Sequence, residues 1–175
     1  MSAVPTMLAS CAKAATAAEA LFRVDYPNSL ARVSRIFALD AEAAAVMRRV
    51  ADGPWHGAHF LTFRSPTAGA TGLDALPVDA TLAGLDGDEV RLSDELKGVD
   101  VAVMIATAGE SATAAETIGN ACFVRSIMTT GLIVARGRSD GAVARTVRAM
   151  RPFAAMLVIT TGEEYIPEML TALHV

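Results

Sequence analysis

Residues 107–113 carry the residue types that bind phosphate and other anions. The hydroxyl groups of Thr107, Ser111 and Thr113 lie around a flexible Gly109, and a predicted helix begins directly after them. The unpaired amides and the dipole at a helix N-terminus favour an anion. We therefore predict that these four residues bind an anionic ligand. An ordinary turn between a strand and a helix is the alternative, because such turns also use glycine and hydroxyl residues.

Charged side chains follow all three predicted strands of the C-terminal half. Arg136 and Arg138 belong to a predicted loop over residues 135–139, and guanidinium groups suit phosphate or carboxylate. We predict that both assist ligand binding, and solvated surface arginines are the alternative. Glu110 and Glu163 are the candidate catalytic residues, because each carboxylate could act as a general base. Solvated glutamates are the alternative there.

No motif in the sequence identifies a reaction. The patterns Gly-x-Gly-x-x-Gly, Walker A, His-Glu-x-x-His and Gly-x-Ser-x-Gly do not occur. His56 and His59 have the spacing of a metal-binding pair on a helix, but the glycines around them favour a strand. Residues three apart on a strand point to opposite faces. We therefore predict no metal site and no cofactor.

Three predicted strands, each followed by a predicted helix, position these loops. Residues 101–106 form a continuous apolar run, which is typical of a parallel strand covered on both faces. Residues 128–134 and 155–159 are the next two predicted strands. Alternating strands and helices predict right-handed crossovers and a parallel sheet, in which ligands bind at the carboxyl ends of the strands. The predicted fold class is α/β, a three-layer, Rossmann-like, mostly parallel sheet with an N-terminal helical segment.

Two helix starts follow from polar residues in this region. Thr113 and Glu116 have the spacing of a capping box, in which each side chain accepts a hydrogen bond from the backbone amide of the other residue. Asp140 is the predicted N-cap of the helix after residues 128–134, because a short polar side chain accepts from first-turn amides. These caps place both helix N-termini beside the predicted ligand loops.

The first 52 residues have the apolar spacing of helices. One of three predicted helices carries Leu30, Val33 and Phe37, and Asn28 and Asp40 occupy N-cap positions. We predict a single domain over residues 1–175. In it, residues 1–52 form the helical segment and residues 53–175 form the α/β core. Between residues 53 and 100 we predict strands at residues 58–63 and 80–85, a loop at residues 65–77, and one or two helical turns from Leu92.

Composition limits the partners. A formal net charge of -4 at pH 7 removes the broad attraction on which nonspecific nucleic-acid binding depends, so we predict no nucleic-acid partner. The apolar runs are far shorter than the roughly 18 residues of a membrane span, so we predict no membrane partner. Residues 8–11 match a lipoprotein tetrapeptide, but residues 2–7 lack a basic segment. We expect a cytoplasmic location. We also expect Cys11 and Cys122 to be buried thiols.

Residues 100–117 carry a family resemblance in the sequence Asp100-Val-Ala-Val-Met-Ile-Ala-Thr-Ala-Gly-Glu-Ser-Ala-Thr-Ala-Ala-Glu-Thr117. This segment resembles the central strand, Ser-Gly-Glu-Thr-type loop and helix of sugar isomerase (SIS) domains, which bind phosphosugars. The resemblance implies that the phosphate-binding loop contains Thr107, Gly109, Glu110, Ser111 and Thr113. The same region is similar to the middle of tubulin-like GTPases. The glycine-rich loop of that family is missing here, so we do not predict GTP hydrolysis.

Two functions of different classes follow. The first is a small-molecule-binding domain for a phosphorylated or otherwise anionic ligand, such as a phosphosugar or a nucleotide-like molecule. If the protein is an enzyme, we expect isomerase-type proton transfer by Glu110 or Glu163. The second is a non-catalytic subunit of a homo-oligomer. The alanine-rich first predicted helix motivates it, because its apolar stripe would exceed what one core covers.

Overall fold

Seven strands form one sheet in the part of the chain that the computed structural model describes, residues 32–67 and 78–175. These residues belong to the compact unit Ala31–Val175. The strands are β1 Ser34–Ala38, β2 Ala58–Pro66, β3 Ala80–Gly84, β4 Glu89–Arg91, β5 Val101–Thr107, β6 Met128–Val134 and β7 Met156–Thr160. Their order across the sheet is β4-β3-β2-β1-β5-β6-β7, and the five strands from β2 to β7 in this order are parallel. Strands β3 and β4 extend the sheet antiparallel to β2. The predicted α/β fold with a mostly parallel sheet is confirmed.

Helices cover both faces of this sheet. They are α1 Ala41–Ala51, α2 Leu92–Glu95, α3 Ala114–Phe123, α4 Asp140–Met150 and α5 Ile166–Ala172, with 3-10 turns at Arg151–Phe153 and Glu163–Tyr165. Alternate residues of β5 divide the core between the faces. Val103 and Ile105 pack with α1 and α5, whereas Met104 and Ala106 pack with α2, α3 and α4. Every residue of β5 is therefore buried, which accounts for its continuous apolar run.

The chain reverses its direction across the sheet at β1. The crossover through α1 leads from β1 to β2 on one side, and β5 then pairs with β1 on the other side. Because crossovers are right-handed, this reversal moves the connecting helices from the α1 face to the opposite face. In open parallel sheets such a switch point separates two loops at the carboxyl edge and creates a cleft that binds ligands. Here that cleft lies at the carboxyl ends of β1 and β5.

The helix predicted around Val33 and Phe37 is wrong. Ser34–Ala38 forms β1, next to the switch point, so the sheet begins well before residue 53. All five residues of β1 are buried, including Arg35. The Nε atom of Arg35 donates to Oε2 of Glu95 at 2.8 Å, and this partner from α2 offsets the burial of the charge. A buried arginine breaks the apolar run that a strand normally shows.

The other early predictions have mixed outcomes. The strands predicted at residues 58–63 and 80–85 are confirmed as β2 and β3, and the helical turns predicted from Leu92 are confirmed as α2. The third predicted N-terminal helix is confirmed as α1. The first predicted helix, before residue 30, the cap at Asn28 and most of the predicted loop at residues 65–77 lie outside the described residues.

Of the four predicted caps, three lie on described residues, and two of these three are wrong. The backbone of Thr113 is already helical, with φ -61 and ψ -27, so its side chain makes no cap hydrogen bond and no capping box with Glu116 forms. An N-cap hydroxyl needs an extended backbone to reach the first-turn amides. Ser139 has that conformation, and its side chain caps α4 in place of the predicted Asp140, which is the first residue of the helix.

Asp40 is confirmed as the N-cap of α1, and it does more than cap. Its Oδ1 atom accepts from the amide of Ala43 at 2.8 Å, and its Oδ2 atom accepts from the amide of Thr107 at 2.7 Å. One carboxylate therefore joins the first turn of α1 to the end of β5. This link spans the switch point.

We predict that Asp40→Ala destabilises the protein by about 2–4 kcal/mol. Loss of an N-cap costs about 1 kcal/mol, and an unsatisfied buried amide at Thr107 costs about 1–3 kcal/mol more. Urea unfolding followed by circular dichroism measures the change. Asp94→Ala is the matched control, because the Asp94 side chain is exposed and, among the residues that the structure describes, pairs only with Lys97. An equal loss of stability in both variants would contradict the structural role of Asp40.

Candidate functional site

Four of the predicted site residues meet as ion pairs at the carboxyl edge. Arg136 donates to the carboxylate of Glu163, and an Nη atom of Arg138 lies 3.6 Å from Oε1 of Glu110. The loops after β5, β6 and β7 therefore lie side by side. This is the arrangement that the carboxyl ends of three neighbouring parallel strands require.

Both predicted binding arginines are already paired with carboxylates of the chain. Arg138 also donates to Oε1 of Glu42 in α1 at 2.8 Å. Glu163, the partner of Arg136, accepts in addition from Nε of Arg49 at 3.1 Å. These contacts neutralise the two guanidinium groups and tie their loop to α1 and to the loop after β7. The binding role of Arg136 and Arg138 stays a prediction.

The environment of Glu163 does not favour a general base. Hydrogen bonds from Arg49 lower the pKa of Glu163, and the charges of Arg49 and Arg136 lower it further against an opposing effect of burial. A general base works best with a pKa near the working pH. Glu163 is therefore a weaker base than an unperturbed glutamate, and its geometry is that of an ion-pair centre.

Gly109 shapes the predicted ligand loop and holds it against α4. It has φ +90 and lies in a turn closed by a hydrogen bond from the Glu110 amide to the Thr107 carbonyl at 3.1 Å. A positive φ at the third position of a turn favours glycine. The Gly109 amide donates to Oγ1 of Thr146 at 2.9 Å, so a ligand would have to displace this bond to use that amide.

The three predicted hydroxyl groups differ in access. The hydroxyl of Thr107 is buried at the end of β5 and has no hydrogen-bond partner within residues 32–67 and 78–175. Ser111 and Thr113 are exposed, and their hydroxyl oxygens lie 3.1 Å apart. A ligand approaching from solvent therefore meets Ser111 and Thr113 but not Thr107.

A cavity of 420 Å³ opens at the switch point. Asp40 and Arg48 line it from the α1 side, Arg64 lines it from β2, and Thr113 and Ala114 line it at the start of α3. This volume falls within the range of small-molecule sites. Thr113 thus connects the predicted ligand loop to a cleft with two arginines, Arg48 and Arg64, that are not among the predicted site residues.

Arg48 and Arg64 are exposed and differ from the other arginines at this edge. Neither guanidinium has a hydrogen bond or an ion pair with any described residue, whereas Arg136 and Arg138 are both paired. The amides of Thr113 and Ala114 also lack a backbone partner among the described residues. The cleft therefore presents two arginines that have no ion pair with a described residue, next to a helix N-terminus.

The sequence contained a signal for these two residues. Ala41, Ala44 and Arg48 share one face of α1 because their spacing is three and four residues, and the small alanines leave room beside the arginine. Arg64 directly follows the strand predicted at residues 58–63. The signal was missed because β1 was predicted as a helix, which left the switch point unidentified.

A second cavity, of 730 Å³, lies between α1 and α5 and contains Trp55. It is larger than the cleft at the switch point and is lined by Arg49 and Glu163. These two side chains neutralise each other, so this cavity offers an anion less electrostatic attraction than the cleft does. For an anionic ligand, the smaller cavity is the better candidate.

Cys122 is buried in α3, as predicted. Burial raises the pKa of its thiol to about 12, so the sulfur is protonated at neutral pH and is not a thiolate nucleophile.

No helix within the described ranges is both long and apolar enough to cross a bilayer. Among the same residues, no three His, Cys, Asp or Glu side chains are placed to hold a metal ion together.

We predict that Glu163→Gln reduces stability at neutral pH and has a smaller effect in acid. The folded-state pKa of Glu163 is lowered, so its contribution is present above the unfolded pKa of about 4.3 and is lost as pH falls through the folded value. Thermal unfolding of both proteins between pH 7 and pH 3 measures this. Glu164→Gln is the matched control, since no described residue forms an ion pair with Glu164. A pH-independent difference between Glu163→Gln and the wild type would contradict the assignment.

No protein-family model matches the chain, and no curated protein matches it. The resemblance of residues 100–117 to sugar isomerase domains therefore stays a prediction. Its implied loop residues lie at the carboxyl edge of β5, beside the cleft at the switch point.

Proposed function

We propose that the protein binds a small phosphorylated or otherwise anionic molecule in the cleft at the switch point. One observation carries this proposal: Arg48 and Arg64 line the same cavity as the start of α3, and neither has a carboxylate partner among the described residues. Guanidinium groups and helix N-termini both recognise phosphate oxygens. A dianionic phosphate group would offset both positive charges.

Asp40 lines the same cavity and keeps its negative charge, but it forms no ion pair with Arg48 or Arg64, and one carboxylate balances only one of the two positive charges. Both of its carboxylate oxygens already accept hydrogen bonds from amides, one from Ala43 and one from Thr107. The carboxylate is thereby fixed in place and turned toward the backbone. The arginines approach from α1 and β2, which leaves their donors available to a ligand.

The remaining lining residues suggest the rest of the ligand. Thr113 supplies a hydroxyl group, and Ser111 lies within hydrogen-bond distance of it. Phe63 is half-buried in the cavity wall and offers an apolar surface for a ring. A phosphate group joined to a polar ring, as in a phosphosugar or a nucleotide-like molecule, has the matching groups. The resemblance to sugar isomerase domains supports the phosphosugar.

Proton transfer is a further part of the proposal, and Glu110 is the better of the two candidate bases. Among the described residues, Glu110 has one ion pair, at 3.6 Å from Arg138, whereas Glu163 is bound by two arginines that lower its pKa. Glu110 also belongs to the loop that leads into α3 and the cleft. If the bound ligand is isomerised, we assign the proton transfer to Glu110.

The test is isothermal titration of the full chain. The titrants are inorganic phosphate, glucose 6-phosphate, fructose 6-phosphate and a nucleoside monophosphate, and each of the three phosphate esters is compared with its unphosphorylated form. We expect a phosphorylated compound to bind. We expect Arg48→Ala and Arg64→Ala each to weaken that binding by roughly 10- to 100-fold, because a charge-assisted hydrogen bond contributes about 1.5–3 kcal/mol. Higher salt should weaken binding further.

Arg145→Ala is the matched control, because Arg145 is an exposed arginine of α4 without a partner among the described residues. Its affinity should equal that of the wild type. The Ser111→Ala, Thr113→Ala double variant tests the loop, and unchanged affinity there would count against a role for its hydroxyl groups. Equal weakening in all three arginine variants would reduce the effect to net charge and would refute a specific site.

A further inference from the structure

The two edges of the sheet differ in a way that points to a partner. The edge strand β4 has three residues, and two of them, Glu89 and Arg91, are exposed charges. Short, charged edge strands prevent pairing with another chain. The opposite edge strand, β7, has the sequence Met-Leu-Val-Ile-Thr with no charge. Met156 is 41% exposed and Ile159 is 52% exposed, so this edge is open and apolar.

The backbone of β7 also has unused hydrogen-bonding groups. It pairs with β6 on one side, and no other described strand pairs with it. In a parallel pair, every second residue directs its amide and carbonyl away from the partner strand. A groove of 320 Å³ along Val158, Ile159, Tyr165 and Met169 extends the apolar surface beside this edge. An added strand would use these backbone groups and cover the groove.

We propose that the partner is a second copy of the chain, bound through antiparallel pairing of β7 with β7 about a two-fold axis. The charges at the ends of the strand favour this occupant. No charged residue lies between Arg151 and Glu163. Glu163 is already paired with Arg49 and Arg136, so the end charges without an ion pair to a described residue are the positive Arg151 and the negative Glu164. Antiparallel pairing brings the positive end of one copy to the negative end of the other.

The register supports the same conclusion. Residues opposite each other in an antiparallel pair point to the same face, so the two-fold axis lies between the two copies of one residue. An axis at Val158, the central residue of β7, pairs all five residues of the strand with the other copy. The 3-10 turns that flank the strand then bring Arg151 of one copy to the end of the paired strands at which the other copy carries Glu164. Arg151 and Glu164 are both exposed, and neither has an ion pair with a described residue. Each is therefore available to the other copy.

Sedimentation equilibrium of the full chain tests this dimer. We expect the wild type to show twice the mass of one chain. Ile159→Lys should raise the dimer dissociation constant by about tenfold or more, because it places like charges on both sides of the axis. Met156→Lys, at the other end of the strand, should do the same if Ile159→Lys proves unstable. Phe123→Lys is the matched control, since Phe123 is an 80% exposed apolar residue in α3.

Charge reversal tests the arrangement of the two copies. Arg151→Glu and Glu164→Arg should each weaken the dimer, and the double variant should restore part of the loss. A wild type that remains monomeric at about 100 μM would overturn the proposal. A dimer that survives both lysine substitutions in β7 would also overturn it, because that dimer would use another surface.

Discussion

The contacts of the Asp40 carboxylate determine the geometry of the candidate site. One oxygen caps α1 and the other holds the amide at the end of β5. These two elements flank the switch point. They are far apart along the chain, so no short loop holds them together. Without a shared acceptor, the amide of Thr107 would be a buried donor with no partner, which is costly in a protein interior. The cavity next to Asp40 thus has a fixed wall on the side where α1 and β5 meet.

The arginines at the carboxyl edge fall into two groups with different consequences. Arg136 and Arg138 are joined to glutamates of three different elements, and this network connects the loops after β5, β6 and β7 to α1. Exposed ion pairs contribute little stability individually, but here they join loops that also share backbone hydrogen bonds, such as that from the Arg136 amide to the Thr161 carbonyl. Arg48 and Arg64 have no such partners within residues 32–67 and 78–175. A ligand in the cleft would meet guanidinium groups that have no described carboxylate partner to release. A ligand at Arg136 would have to compete with Glu163.

The parts of the fold that the sequence predicted are those determined by local pattern. Strand β5 is buried on both faces, so its apolar run is continuous and its identity as a parallel strand follows. Strand β1 has the same burial, but it contains Arg35, whose charge is offset by Glu95 sixty residues away. No local pattern shows such a partner. The predicted site has the same limit: its edge of the sheet follows from alternating strands and helices, but the pairing of each arginine depends on residues distant in sequence.

The cleft and the apolar edge are separate features of one sheet. Strands β5 and β6 lie between β1 and β7, and neighbouring strands are about 4.8 Å apart, so the cleft at β1 lies about 15 Å from the edge at β7. A second copy paired at β7 would continue the sheet away from the cleft. Both clefts of such a dimer would stay open to solvent, on opposite sides of the two-fold axis. Ligand binding and self-association therefore do not exclude each other, and a substitution in β7 should change the oligomeric state without changing the affinity for phosphate.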